Sequence, residues 1–274
     1  MTGATSGLGR IAACTLAYLG NNVVAIARNE TRGKQLVQFY HENYPDGKGQ
    51  MEILNCDLTS FESIVETVEH YKAKYKTLDI LINNAGVWNF EFKTSKNNIE
   101  EIFHVNVLAP MLLIGLLGNL LSQSNDGRII NTASALHFGK VNFDDIEMKQ
   151  SFSGTNAYRQ SKLSIVLLTR LLHFKFDESN IGIYSLHPGV VSTNLARNGN
   201  PIFKFLFQFI GISPEKGAQT ILYLATAKKE QLKNGEYYTR KKVTRSKPHS
   251  NDLIMAHKLM QTVQNYLGDY IQFI

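Results

Sequence analysis

Short, continuously apolar runs alternate with longer amphipathic stretches along the 274-residue chain. NVVAIA (22–27), MEILNC (51–56), DILINNA (79–85), RIINTAS (128–134) and IGIYSLHP (181–188) read as strands, with GEYYT (235–239) a weaker sixth. They are apolar throughout rather than alternating, as expected of strands covered on both faces. Between them, helical spacing predicts helices over 8–19, 31–44, 60–75, 97–122, 157–176 and 214–227. Ser213-Pro214-Glu215 is a strong start for the last, a capping hydroxyl followed by proline at the first helical position. Strict strand–helix alternation predicts an α/β fold, a doubly wound parallel sheet with right-handed crossovers and helices on both faces. No repeat, linker or low-complexity segment divides the chain, so 1–274 is expected to form a single domain.

The second residue already belongs to a glycine-punctuated turn, TGATSGLG (2–9). Such a turn lets backbone approach a phosphate, and it follows a buried strand that aims it at the next helix N-terminus. Only Met1 precedes it here. A doubly wound sheet without its first, central strand would leave buried unpaired backbone groups, each costing roughly 1–3 kcal/mol. The expectation is therefore a chain N-terminally incomplete and lacking that strand, or another segment filling its slot.

Composition narrows the picture in two ways. The two cysteines, Cys14 and Cys56, make neither a disulfide framework nor a metal cluster, and they read as small apolar fillers. The formal charge of +6 lies wholly within 228–247, where eight basic side chains face Glu230 and Glu236. A solvated basic tail and an anionic membrane surface both fit that segment. Few aromatics interleave with it, so nucleic acid is not expected as a partner. The longest apolar stretch, 107–121, is shorter than the roughly 20 residues of a spanning helix and reads as a core helix.

The chemistry sits at strand ends. In a dinucleotide site the residue about 20 positions after the glycines meets the adenosine ribose; an acid there suits a 2′-hydroxyl, an arginine a 2′-phosphate. Arg28 occupies that place and no acid ends the strand, which favours NADP(H) over NAD(H). Asp57 closes the next strand, either facing an adenine amino group or capping the helix near Ser60. NNAG (83–86) suits a tight turn beside a ligand. Tyr158 and Lys162 lie one helical turn apart, so the ammonium can favour the phenolate and bring a pKa of about 10 toward neutrality. The same Tyr-x-x-x-Lys spacing recurs at Tyr44/Lys48, Tyr237/Lys241 and Tyr238/Lys242, but only Tyr158 is on a predicted helix within the strand–helix pattern.

Taken together, TGATSGLG, NNAG, YRQSK and HPGVVST resemble the short-chain dehydrogenases/reductases, in that family's order and across nearly the whole chain. AIARNETRG, NNAGVW, ASALHFGKVNFDDI and AYRQSKLSIVLLTR resemble its retinol dehydrogenase branch. The resemblance implies a Rossmann-like fold and reversible hydride transfer between a nicotinamide and a lipophilic carbonyl or alcohol, with no metal. It implies Tyr158 as general acid/base, Ser134 on the substrate oxygen, Lys162 on the nicotinamide ribose lowering the tyrosine pKa, and Asn106 anchoring a water relay. Implied cofactor contacts are Thr2, Gly3, Ser6, Gly7, Leu8, Gly9, Arg28, Asp57, Leu58, Asn83, Ala85, Gly86, Tyr158, Lys162, Pro188, Gly189, Val190 and Thr193. His137 and His187 are expected to be structural.

Residues 200–227 are expected to form a substrate lid and the helix after it, with phenylalanines at 203, 205, 207 and 209; 228–274 would be the basic segment and a C-terminal helix. An intracellular protein is expected, cytoplasmic or peripheral to a membrane, with a homodimer as the family's frequent assembly. The rival readings are a catalytically impaired truncated form acting as a binding or regulatory protein, and a membrane-surface scaffold.

Overall fold

All six apolar runs are strands in the computed structural model, which describes residues 1–176, 179, 181–189 and 212–272. They are β1 (Val23–Ala27), β2 (Met51–Asn55), β3 (Ile80–Asn83), β4 (Arg128–Thr132), β5 (Gly182–His187) and β6 (Tyr237–Thr239), with β7 (Lys242–Val243) added. β1 pairs with β2, and β3 to β7 form a second run in chain order. Every pairing is parallel except β6 with β7.

Strand alternation supplies two cores from one sheet. Leu81, Ile129, Ile183 and Tyr237 face one side, with Leu112, Val166 and Leu259. Ile82, Ile130, Tyr184 and Tyr238 face the other, with Ala13, Leu36 and Ile221. The helices covering the second side are α1 (Gly7–Tyr18) and α2 (Glu30–Asn43). The first is covered by α3 (Phe61–Lys74), α4 (Ala109–Ser122) and α5 (Gly154–Phe176). Two later helices complete the layers: α6 (Pro214–Thr226) packs on α1, and α7 (Leu253–Leu267) packs on α5.

The slot between β1 and β3 holds Met1–Thr2. Met1 N donates to Val24 O at 2.7 Å and Ile26 N to Met1 O at 2.8 Å, while Thr2 N donates to Ile82 O at 2.9 Å. Among the described residues this two-residue stub is the only bridge between the two runs of strands. The glycine turn is thus held from both sides by backbone bonds.

The helix predicted over 97–122 forms as a continuous 22-residue helix, Glu101–Ser122; by length and composition it could cross a membrane, but 67% of its apolar window is buried in the protein, as the core-helix reading expects. Within it His104–Leu108 is a π-turn: the Ala109 N–H reaches back five residues to His104 O, next to Pro110, which has no N–H to offer. The basic segment is not a tail. It carries β6, a tight turn with Arg240 and Lys241 at φ of 51° and 65°, β7, and a 3₁₀ turn at Pro248–Asn251 leading into α7.

Candidate active site

The glycine turn is built by close approach. Gly3 has φ of 65°, and a Cβ there would lie 2.8 Å from Ala85 N; one on Gly9 would lie 2.0 Å from Gly3 O. The turn is tied to NNAG, since the Thr2 hydroxyl accepts Asn84 N–H and Ala85 N–H at 2.9 Å each. The Asn84 amide donates back to Gly3 O at 3.1 Å. Ser6 precedes α1 in extended conformation without capping it by its side chain. The first turn of α1 therefore offers backbone amides and its positive end to an anion.

Beside the turn is a cavity of about 640 Å³. Of the anticipated residues, Gly3, Ser6, Leu8, Gly9, Arg28, Asp57, Leu58, Ala85, Gly86, Ser134, Tyr158, Lys162, Pro188 and Gly189 line it. Thr2, Gly7 and Asn83 do not. Strand alternation sends Asn83 to the same side as Leu81, where its amide donates to Asn131 Oδ1 at 2.9 Å. Val190, Thr193 and the stretch 200–211 lie outside the described residues.

At the end of β1, Arg28 and Arg32 both line the cavity, and both are exposed. Arg32 follows from helix placement, one turn after Arg28, with Asn29 capping α2 by accepting Arg32 N–H at 2.9 Å. Asp57 is engaged by Thr59 N and Oγ1, at 3.1 and 2.8 Å, and by Lys96 at 3.1 Å. These partners outweigh its burial and hold its pKa below the usual value. Ser60, not Asp57, caps α3.

At the other end α5 places Tyr158 and Lys162 on one face, and Ser134, two residues past the end of β4, lines the same part of the cavity, its side chain tending to lower the phenol pKa. Lys162 Nζ donates to Thr132 O at 2.9 Å and sits 5.6 Å from the Tyr158 ring centre. Burial pushes the phenol up to about 12 and the ammonium down to about 8. This corrects the expectation of a lowered phenol pKa: in so dry a place burial outweighs an ammonium directed at a carbonyl.

Asn106, on the π-turn, clamps Val87, accepting its N–H at 2.8 Å and donating to its carbonyl at 3.0 Å; it also donates to Ser161 Oγ at 3.0 Å. Its carboxamide is thus spent on protein partners rather than aimed into the cavity. His137 donates from Nδ1 to Ser134 O at 2.6 Å, and its Nε2 accepts Lys247 N–H at 3.0 Å. His187 Nδ1 accepts Ala135 N–H at 3.2 Å. Both act as struts. Sequence reasoning passed over Trp88, which lines the cavity and stacks on Tyr158 at 4.3 Å.

A glycine-cradled helix N-terminus joined by one cavity to a Ser–Tyr–Lys set agrees with the match of residues 1–201 to the family model for short chain dehydrogenases. The chain belongs to that family. It is an oxidoreductase. It is 32% identical to retinol dehydrogenase 14 of Mus musculus, over 98% of this chain and 85% of that protein. Identity to polyprenol dehydrogenase of Homo sapiens is 33%, over 90% and 77% of the two chains. A crystal structure of an uncharacterised protein from Mycobacterium paratuberculosis shares the fold with a TM-score of 0.78, at 26% identity over 100% of this chain and 93% of that one. Family members use nicotinamide cofactors, and a glycine turn that lines the cavity through Gly3, Ser6 and Gly9 at the N-terminus of α1 fits a dinucleotide phosphate.

Proposed function

We propose that this enzyme is an NADP(H)-dependent reductase of lipophilic aldehydes or ketones, working reversibly on the corresponding alcohols. The meeting of Ser134, Tyr158 and Lys162 in one cavity wall with the glycine turn carries the reading. Arg28 and Arg32 would pair with a 2′-phosphate, the first turn of α1 with the diphosphate, and Lys162 with the nicotinamide ribose. When bound, the nicotinamide supplies or accepts the hydride. Ser134 holds the substrate oxygen, and Tyr158 gives that oxygen its proton during reduction and takes it back during oxidation. A phenol pushed up to about 12 is protonated throughout the physiological range, which is the form carbonyl reduction consumes.

A lipophilic substrate suits the apolar residues beside Tyr158 in the cavity wall, Val87, Trp88 and Leu136, and the two relatives are named for lipophilic alcohols. The exposed hairpin cations Arg240, Lys241 and Lys242 suit contact with an anionic membrane, where such substrates reside. Fluorescence titration with NADPH and NADH, followed by turnover of retinal-like, steroid-like and small polar carbonyls, tests the proposal. Tight NADPH binding, with turnover that Tyr158→Phe abolishes, is expected. Failure to bind either nucleotide, or equal rates on all three carbonyls, would overturn it.

A further inference from the structure

Trp88 and Tyr158 form the tightest parallel ring pair in the cavity wall. Their ring centres are 4.3 Å apart with planes 8° from parallel, and each residue is only 5% exposed. Phe90 lies near-parallel to the same indole, at 5.7 Å and 18°. The phenol oxygen lies on the axis of the ring torsion, so turning the ring does not move it; a flat neighbour over the face instead blocks the swing about the Cα–Cβ bond that would carry the oxygen away, and holds the ring plane in which the O–H lies.

The indole is itself held. Both backbone polar groups of Val87, the residue before it, are taken by the Asn106 amide. The same amide donates to Ser161 Oγ, and Ser161 donates to the Tyr158 carbonyl at 2.8 Å. The contacts close a circuit: Asn106 to Val87, on to Trp88, across the stack to Tyr158, and back through Ser161. One carboxamide on the π-turn thereby anchors the backbone of the proton-donating residue and the ring that covers its side chain.

We propose that Trp88 is a positioning residue for Tyr158, fixing the plane of the phenol against Ser134 and keeping water from its face, and that Asn106 acts on the reaction through this stack. The proposal rests on Tyr158 being the proton donor. Trp88 is the only tryptophan in the chain, so indole emission reports directly on the stack.

The test compares the full chain with Trp88→Ala and Trp88→Phe. NADPH affinity, kcat and KM for a retinal-like aldehyde are measured, together with phenolate absorbance against pH, taken as a difference from Tyr158→Phe to isolate Tyr158. Trp88→Ala is expected to lower kcat roughly 10- to 100-fold, as misorienting a reacting group does, with nucleotide affinity unchanged. Its Tyr158 titration should move down from about 12 toward the ordinary value as water reaches the ring. Trp88→Phe, which keeps a ring, should recover most of both. Wild-type kcat and titration in Trp88→Ala would overturn the proposal. So would a kcat loss matched by lost NADPH affinity, which would make the indole a prop of the cofactor platform. If Trp88→Ala does not fold, Trp88→Leu, apolar but without a ring plane, takes the same measurements. Turnover surviving in Tyr158→Phe would instead overturn the function proposed above, so the two failures are distinguishable.

Discussion

Thr2 and Asn84 hold each other twice: the Thr2 hydroxyl accepts the Asn84 N–H at 2.9 Å, and the Asn84 amide donates to the Thr2 carbonyl at 3.4 Å. With the bond from Ala85 N–H to the same hydroxyl, they join the glycine turn to the end of β3. Thr2→Val keeps the shape but strands two partly buried donors, at roughly 1–3 kcal/mol each. Urea unfolding should show a loss of about 2–6 kcal/mol for the two donors together, and Thr2→Ser should recover most of it. A neutral Thr2→Val would mean that the Thr2 hydroxyl contributes nothing to the platform.

Selectivity for the phosphorylated nucleotide should reside in Arg28 and Arg32. Replacing both by alanine is expected to weaken NADPH binding roughly 10- to 100-fold, the range for charge-assisted bonds at an exposed site, and to leave NADH binding unaltered. Since both guanidinium groups are exposed, the wild-type preference should shrink as salt is raised. Equal losses for the two nucleotides would place the arginines on the shared diphosphate instead.

Lys162 makes stability depend on pH in a stated direction. Its folded pKa of about 8 lies below the ordinary 10.5, so between those values the unfolded chain binds a proton that the folded chain does not. Wild-type stability at this site therefore rises as pH climbs from about 8 to 10.5. Lys162→Met, freed of a buried ammonium, should be more stable than wild type near pH 7 by about 2–3 kcal/mol while losing activity, and the gap should close above pH 10. Parallel stability curves from pH 7 to 10.5 would contradict this account of the burial.

The hairpin of β6 and β7 should govern membrane contact. Neutralising Arg240, Lys241 and Lys242 is expected to remove co-sedimentation with anionic vesicles, at about 1 kcal/mol per cation, and to leave NADPH binding intact. Retained co-sedimentation would move the contact elsewhere on the protein.

Much of the fold and of the cavity wall is legible in the sequence. Continuous apolar runs marked six strands to within two residues at their ends, because strands covered on both faces must be apolar on both; β2, half-buried to exposed along its length, is the departure from that cover. That the glycine turn, Tyr158, Lys162 and Ser134 would meet in one cavity was readable because each stands at a strand end or on one face of the helix beside it. Asn83 was misplaced by a matter of parity: a strand gives alternate residues to opposite faces, and only the packed sheet says which face is which. Arg32 and Trp88 carried no motif, and they matter through what lies across from them.

The local chemistry of the chain alone set the order of elements, the glycine turn opening α1 and the one-turn spacing of Tyr158 and Lys162, since each depends on neighbours within a few residues. Tertiary structure decided how dry that pair is, which way its ammonium points, and that an indole 70 residues away in sequence lies flat on its phenol. Desolvation and stacking depend on atoms brought together from distant segments, so packing rather than spacing sets the proton affinity of Tyr158.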